Sequence, residues 1–305
     1  MIEHLIPILA ITLAAATPLV FAGLGELVTE KSGVINLGVE GMMLIGAVAG
    51  FAGAVQWGVT GGLICGAIAG LFASLPFAFL TLSLGTNQSA TGLALTIFGI
   101  GLSAFIGQFF VSQSLPGLQP LQIPLLASIP FLGPIFFTQT FVVYLSWLAF
   151  VVVAWVLAKT RWGLILRAVG ESPDAAHAIG YPVIRIRYLA IGFGGAMSGI
   201  GGAYLSTVYT PLWVQNMTAG RGWIAVALVV FATWKPGRLM LGAYLFGGMT
   251  ILQLHAQGLG VELPSQLLAA VPYVATILVL VLISRDRKQL QLNLPASLGK
   301  PFIGN

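Results

Sequence analysis

Long apolar runs broken by short polar stretches dominate this chain from its first residues. A helix needs about 20 mostly apolar residues to cross a hydrocarbon layer. Nine stretches meet or approach that length: 5–24, 37–56, 61–82, 90–111, 139–158, 187–209, 221–234, 239–255 and 265–284. The seventh is short enough to be tilted, broken or re-entrant. Continuous runs of this kind are helical, because in lipid only helices and closed barrels satisfy their own backbone groups. The pattern predicts an all-α polytopic membrane protein of about nine transmembrane helices, in one domain over residues 1–305. The first run lacks a basic lead-in at Met1-Ile2-Glu3-His4 and is too long for a secretory leader, so it is expected to remain as a span.

Composition strengthens this reading. The chain is 58% hydrophobic and 7% charged, whereas a soluble protein carries roughly a quarter of its residues charged. Its excess of Lys and Arg, 13 against 8 acids, is then informative by position rather than as a nucleic-acid footprint. Lys159, Arg161, Arg167, Arg185 and Arg187 cluster in one loop, and Arg285, Arg287, Lys288 and Lys300 in the tail 285–305. Threading nine spans adds Lys31, Lys235 and Arg238 to the same side, with Arg221 the one exception. Basic loops face the cytoplasm, which predicts an N-terminus outside and a C-terminus inside. A single cysteine, Cys65, excludes an internal disulfide, and His4, His177 and His255 have no metal-ligand spacing.

Glycines four apart at Gly46/Gly50, Gly62/Gly66/Gly70 and Gly195/Gly199 let helix backbones approach closely, within one subunit or across a dimer seam. Segment 112–138 holds Pro116, Pro120, Pro124, Pro130 and Pro134 and reads as a stiff outer cap, either a docking surface or a plain lid. In the basic loop 159–186, Ser172 is a good N-cap, Pro173 fits the first helical turn, and Asp174 complements the dipole. Gly180 and Pro182 end the segment. One short, capped helix with an alanine face is expected there, serving as a connector or as an element that enters a groove on another protein.

Two charges fall inside spans. Glu40 lies in Asn36-Leu-Gly-Val-Glu-Gly41, and Arg221 in Ala219-Gly-Arg-Gly222, which the threading puts at the opposite face of the membrane. Glycine-flanked charges at matching depths suggest an inverted repeat, with the two charges too far apart to pair. A catalytic cluster is missing from the sequence. Residues 25–32 imitate a phosphate-binding loop, but Glu30 stands where glycine is needed.

The stretch Thr29-Glu-Lys-Ser-Gly-Val-Ile-Asn-Leu-Gly-Val-Glu-Gly-Met-Met43 resembles membrane subunits of bacterial ABC importers. The match is to the branched-chain amino acid and ribose permease superfamily, nearest its nucleoside and simple-sugar branch. Thr86-Asn87-Gln88, Arg167–Ala176, Asn216–Ile224 and Leu294–Phe302 agree, so the resemblance covers the chain from about residue 20 onward. Val39, Ser172 and Tyr181 depart mildly from that branch. The resemblance implies a non-catalytic permease subunit of the bacterial inner membrane, paired with a second homologous permease. It further implies a cytoplasmic ATPase that holds ATP and Mg, an external substrate-binding protein, and no cofactor in this chain. By the same resemblance Arg167, Gly170, Glu171, Ser172, Pro173, Asp174, Ala175 and Ala176 form the element that couples to the ATPase. Polar side chains at membrane depth need a partner or water, which makes Asn36, Glu40, Asn87 and Gln88 candidates for the substrate path. The cargo expected is a nucleoside or simple sugar, with branched-chain amino acids or free pentoses as the alternative. An ion-coupled secondary transporter is the rival of another class, and eight acids, mostly in loops, provide for it poorly.

Overall fold

The computed structural model describes residues 2–258, 265–283 and 293–302, so Arg285, Arg287 and Lys288 lie outside the described residues. Regular structure among them is helical, apart from one isolated bridge between Ser114 and Leu212. The helices are α1 (Ile2–Lys31), α2 (Val39–Ala78), α3 (Gln88–Gly107), α4 (Leu132–Phe136), α5 (Phe141–Lys159) and α6 (Arg161–Glu171). They continue with α7 (Pro173–Ala178), α8 (Val183–Tyr204), α9 (Arg221–Phe231), α10 (Pro236–Gly258) and α11 (Ser265–Ile283). Among the described residues six helical stretches are long and apolar enough to cross a bilayer: Ile6–Lys31, Val39–Ser83, Gln88–Phe110, Phe141–Lys159, Val183–Tyr209 and Pro236–Gly258. The stretch 221–234, expected to be short or broken, is the 11-residue α9.

Glycine explains the architecture at two places. Inside α2, Gly58 adopts φ +71° and ψ −179°, a conformation that L side chains rarely enter, and the helix folds back on itself there. A methyl group at Gly62 would meet the Gly50 carbonyl at 2.6 Å and Ala54 Cβ at 2.8 Å, which places the two limbs side by side. The second limb then packs against α8, backbone to backbone. Methyl groups at Gly199 and Gly195 would overlap the carbonyls of Gly66 and Gly70. As residue numbers rise along one helix they fall along its partner, so the pair is antiparallel. The spaced glycines are therefore consumed by packing within one chain, as the first of the two readings expects.

Proline has its own accounting. Pro18 lies inside α1 and has no N–H to give the carbonyl of Ala14. Tyr204, buried on α8, donates its hydroxyl to that oxygen at 3.1 Å, so the freed acceptor is not left dry in the core. The proline-rich segment 112–138 is largely irregular, with one helical turn at α4.

At the basic end the chain closes on itself. Residues 293–302 lie against the 31–33 turn and the end of α6: Ser297 N–H and Oγ donate to the Gly170 carbonyl at 3.0 and 2.6 Å, and Gly299 N–H to the Gly33 carbonyl at 3.1 Å. Arg187, grouped in the sequence with the loop cations, is instead fully buried in the first turns of α8. It donates to Ser32 O at 3.0 Å, Ser297 Oγ at 3.0 Å and Lys300 O at 3.4 Å, binding three separate segments into one end piece.

Candidate functional site

Two places bring the candidate residues together. The first is the α6–α7 region. Where one short helix is expected, the structure has two. The additional one, α6, shows apolar residues at Trp162, Ile165, Leu166 and Val169, the i, i+3, i+4, i+7 spacing that signals an amphipathic helix and that its charges disguise. α7 starts as its sequence dictates: Ser172 Oγ accepts from Ala175 N–H at 3.4 Å, Pro173 is in the first turn, and Gly180 closes the segment at φ +92°. Glu171, Ser172, Asp174, Ala175 and Arg167 are exposed, and Pro173 is half-buried. Gly170 and Ala176 point inward. A methyl group at Gly170 would overlap the Lys31 carbonyl, and Ala176 packs with Val169, Val183 and Ile186. The ring of Phe302 meets His177 edge-on at 5.7 Å, so the tail also touches α7. The alanine helix thus keeps one side in the chain and offers the other to whatever approaches.

The second place lies at half the depth of the membrane. Trp234, three residues past α9, donates Nε1–H to Glu30 Oε2 at 2.5 Å, which sets the end of α9 level with the basic end of α1. With 11 residues, α9 rises roughly 16 Å from there, about half of a hydrocarbon layer near 30 Å thick. Its first turn is occupied by Glu40. The carboxylate accepts from Thr218 Oγ1 at 2.5 Å and Gly220 N–H at 2.8 Å through Oε1, and from Gly222 N–H at 2.6 Å through Oε2. A buried acid is stable here because it receives three donors and meets the positive end of a helix dipole.

This corrects one expectation. Glu40 and Arg221 do not lie at opposite faces of the membrane; they sit at one level, because Glu40 binds the residues flanking Arg221. The error came from assuming continuous spans. Non-helical backbone at 32–38 and at 210–220 enters to mid-depth from each side, and such backbone is tolerated only inside protein or along a water-filled path.

Side chains meet the needs of the 32–38 segment. Asn36 N–H donates to Glu26 Oε1 at 3.1 Å, Gly38 N–H to Asn36 Oδ1 at 2.9 Å, and Ile35 N–H to Gln88 Oε1 at 2.9 Å. Thr96 Oγ1 donates to the Leu37 carbonyl at 3.0 Å. Asn36, Glu40 and Gln88 are buried with these bonds made, while Asn87 is exposed and caps α3 by accepting from Ala90 N–H at 3.0 Å. Glu26 and Thr218 were not singled out by the sequence reading. A second acid one helical turn before Glu30 on α1 was the available signal for Glu26. Thr218 lies inside the matching stretch Asn216–Ile224, but nothing local there points to a carboxylate as its partner.

Interrupted helices meeting at mid-membrane, beside a capped helix held out from the charged end, define a membrane transport protein. The chain belongs to the family described as branched-chain amino acid transport system, permease component, whose profile matches residues 8–283. It is 44% identical over 275 residues to the putative glucose ABC transporter permease protein TsgC13 of Haloferax volcanii, covering 88% of this chain and 84% of that one. Identity to the nucleoside ABC transporter permease protein NupC of Lactococcus lactis is 35% over 289 residues, 90% of this chain and 91% of that protein. With the guanosine ABC transporter permease protein NupQ of Bacillus subtilis it is 30% over 284 residues, 88% and 89% of the two chains.

Proposed function

We propose that this chain is the membrane-spanning permease subunit of an ATP-driven importer for nucleosides or simple sugars. The observation that carries the reading is near full-length similarity to permeases named for nucleosides, guanosine and glucose, on a chain whose α7 is capped and exposed at its basic end. The family description names branched-chain amino acids, but the relatives' names favour the sugar-bearing cargo.

In this mechanism the basic end faces the cytoplasm, as the distribution of cations favours. ATP and Mg sit on a partner ATPase, and a second permease and an external binding protein complete the machine. The exposed Ser172, Asp174 and Ala175 side of α7 enters the ATPase, with Arg167 and Glu171 beside it and Pro173 fixing the helix start. Gly170 and Ala176 seat the helix on the rest of the chain. Closure of the ATPase pair pushes α7 and shifts the permease between outward- and inward-open states, whose differing contacts with cargo set the populations. Asn36, Glu40 and Gln88 hold the interrupted backbone that shapes the path, and Asn87 fixes the start of α3.

The test is uptake of labelled guanosine, glucose, ribose and leucine by cells carrying the full transporter, with and without the ATPase. Guanosine or glucose uptake that needs the ATPase is expected. Uptake of leucine alone would overturn the cargo, and uptake that survives loss of the ATPase would overturn the mechanism.

A further inference from the structure

The mid-depth junction has a part that its internal bonds do not use. Glu40 already satisfies the start of α9, yet Arg221 adds a second charge at the same level. Its Nη1 donates to the carbonyls of Met217 and Thr218 at 3.2 and 3.3 Å, and the side chain remains half-exposed. These two carbonyls engage one guanidinium nitrogen, on a group that carries five N–H donors. Gln215 and Asn216, just before it in the turn, are exposed, and a methyl group at Gly220 would meet nothing within 4 Å. Backbone strain is stored here as well, with positive φ at the non-glycine residues Asn216 (56°) and Ala219 (47°).

A half-exposed arginine at mid-membrane cannot face lipid without a large desolvation cost. Its surroundings must therefore be polar. The geometry points to Arg221 and Asn216 as the cargo-contacting groups of the translocation path, donating to the hydroxyl and carbonyl oxygens of an uncharged sugar or nucleoside. Glu40 makes this arrangement workable: by filling the helix start it leaves the arginine as the accessible donor, while its own carboxylate is occupied by Thr218, Gly220 and Gly222. The oxygens of a sugar ring, common to nucleosides and simple sugars, suit a planar guanidinium beside an amide. The inference rests on the transport reading above and locates its contact site.

Two measurements on the assembled transporter in proteoliposomes test it. In a Cys65→Ser background, Asn216→Cys is treated with a water-soluble methanethiosulfonate sulfonate, with and without guanosine or glucose. Modification slowed several-fold by one of these cargoes is expected. An unmodified thiol, as lipid or a partner carboxylate over Arg221 would produce, overturns the site, and so does modification that neither cargo slows. For Arg221→Ala, the half-saturating cargo concentration should rise at least about tenfold, with Arg221→Lys intermediate; an unchanged value overturns the contact. If Arg221→Ala fails to assemble, the Asn216→Cys result decides. Uptake by the unsubstituted transporter is read in parallel, so a wrong cargo shows itself apart from a wrong site.

Discussion

Helices α7 and α9 both begin with a side-chain oxygen filling their first turn, and they obtain it in opposite ways. α7 takes its cap from Ser172, the residue before it, at the basic end of the molecule. α9 takes its from Glu40, which reaches Gly220 from 180 positions earlier in the chain, at the centre of the membrane. The surroundings explain the difference. At the surface water can replace a poor cap, so one hydroxyl with a 3.4 Å bond suffices. The Glu40 side chain is buried away from water, and a carboxyl group with three short bonds is used there.

Substitutions can break or sharpen this contrast. The largest effect is expected for Glu40→Ala, which strands the donors of α9 in a dry site and should cost about 3 kcal/mol or more. Thermal denaturation of the detergent-purified protein would show it, and a loss no greater than that of Ser172→Ala would end the comparison. Ala175→Leu should leave that midpoint in place, since Ala175 is exposed, yet cut ATP-driven uptake roughly tenfold by spoiling the docked face. Uptake at the normal rate would remove α7 from the coupling path. Ser172→Ala should cost about 1 kcal/mol of local helix stability, seen as faster amide exchange confined to 173–178. Ser172→Asp, which keeps a capping oxygen, should leave exchange nearly unchanged. Equal acceleration in both variants would mean the cap is idle.

The same contrast explains what could be read from the sequence. Ser172, Pro173 and Gly180 specify α7 through neighbours one to three residues away, and the structure follows them. The apolar runs likewise mark most of the long helices, and the spaced glycines signal close backbone approach without saying which helices meet. Glu40 and Arg221 were recognised as unusual, but their depth and proximity depended on the non-helical 32–38 and 210–220 segments, which hydropathy counts as part of a span or as loop. Thr218 lies in a recognisable stretch, but its bonding role is invisible there because it comes from a carboxylate 178 positions away. α6 was hidden for another reason: Arg161, Arg167 and Glu171 on its wet side make an amphipathic helix look like a polar connector.

The glycine seam has a mechanical consequence. With carbonyls pressed against bare Cα atoms at Gly66, Gly70, Gly195 and Gly199, the second limb of α2 and α8 have no side-chain layer over which to slide. They form a single beam. Its foot is pinned by Arg187 next to α7, where the π-helical turn Phe79–Ser83 meets Tyr188, and its far end runs into the π-helical turn Leu205–Tyr209, a wider winding that often marks a functional bend. A thrust delivered at the foot would therefore travel the length of the beam undiminished and be spent at its tip, where the chain turns back toward Arg221.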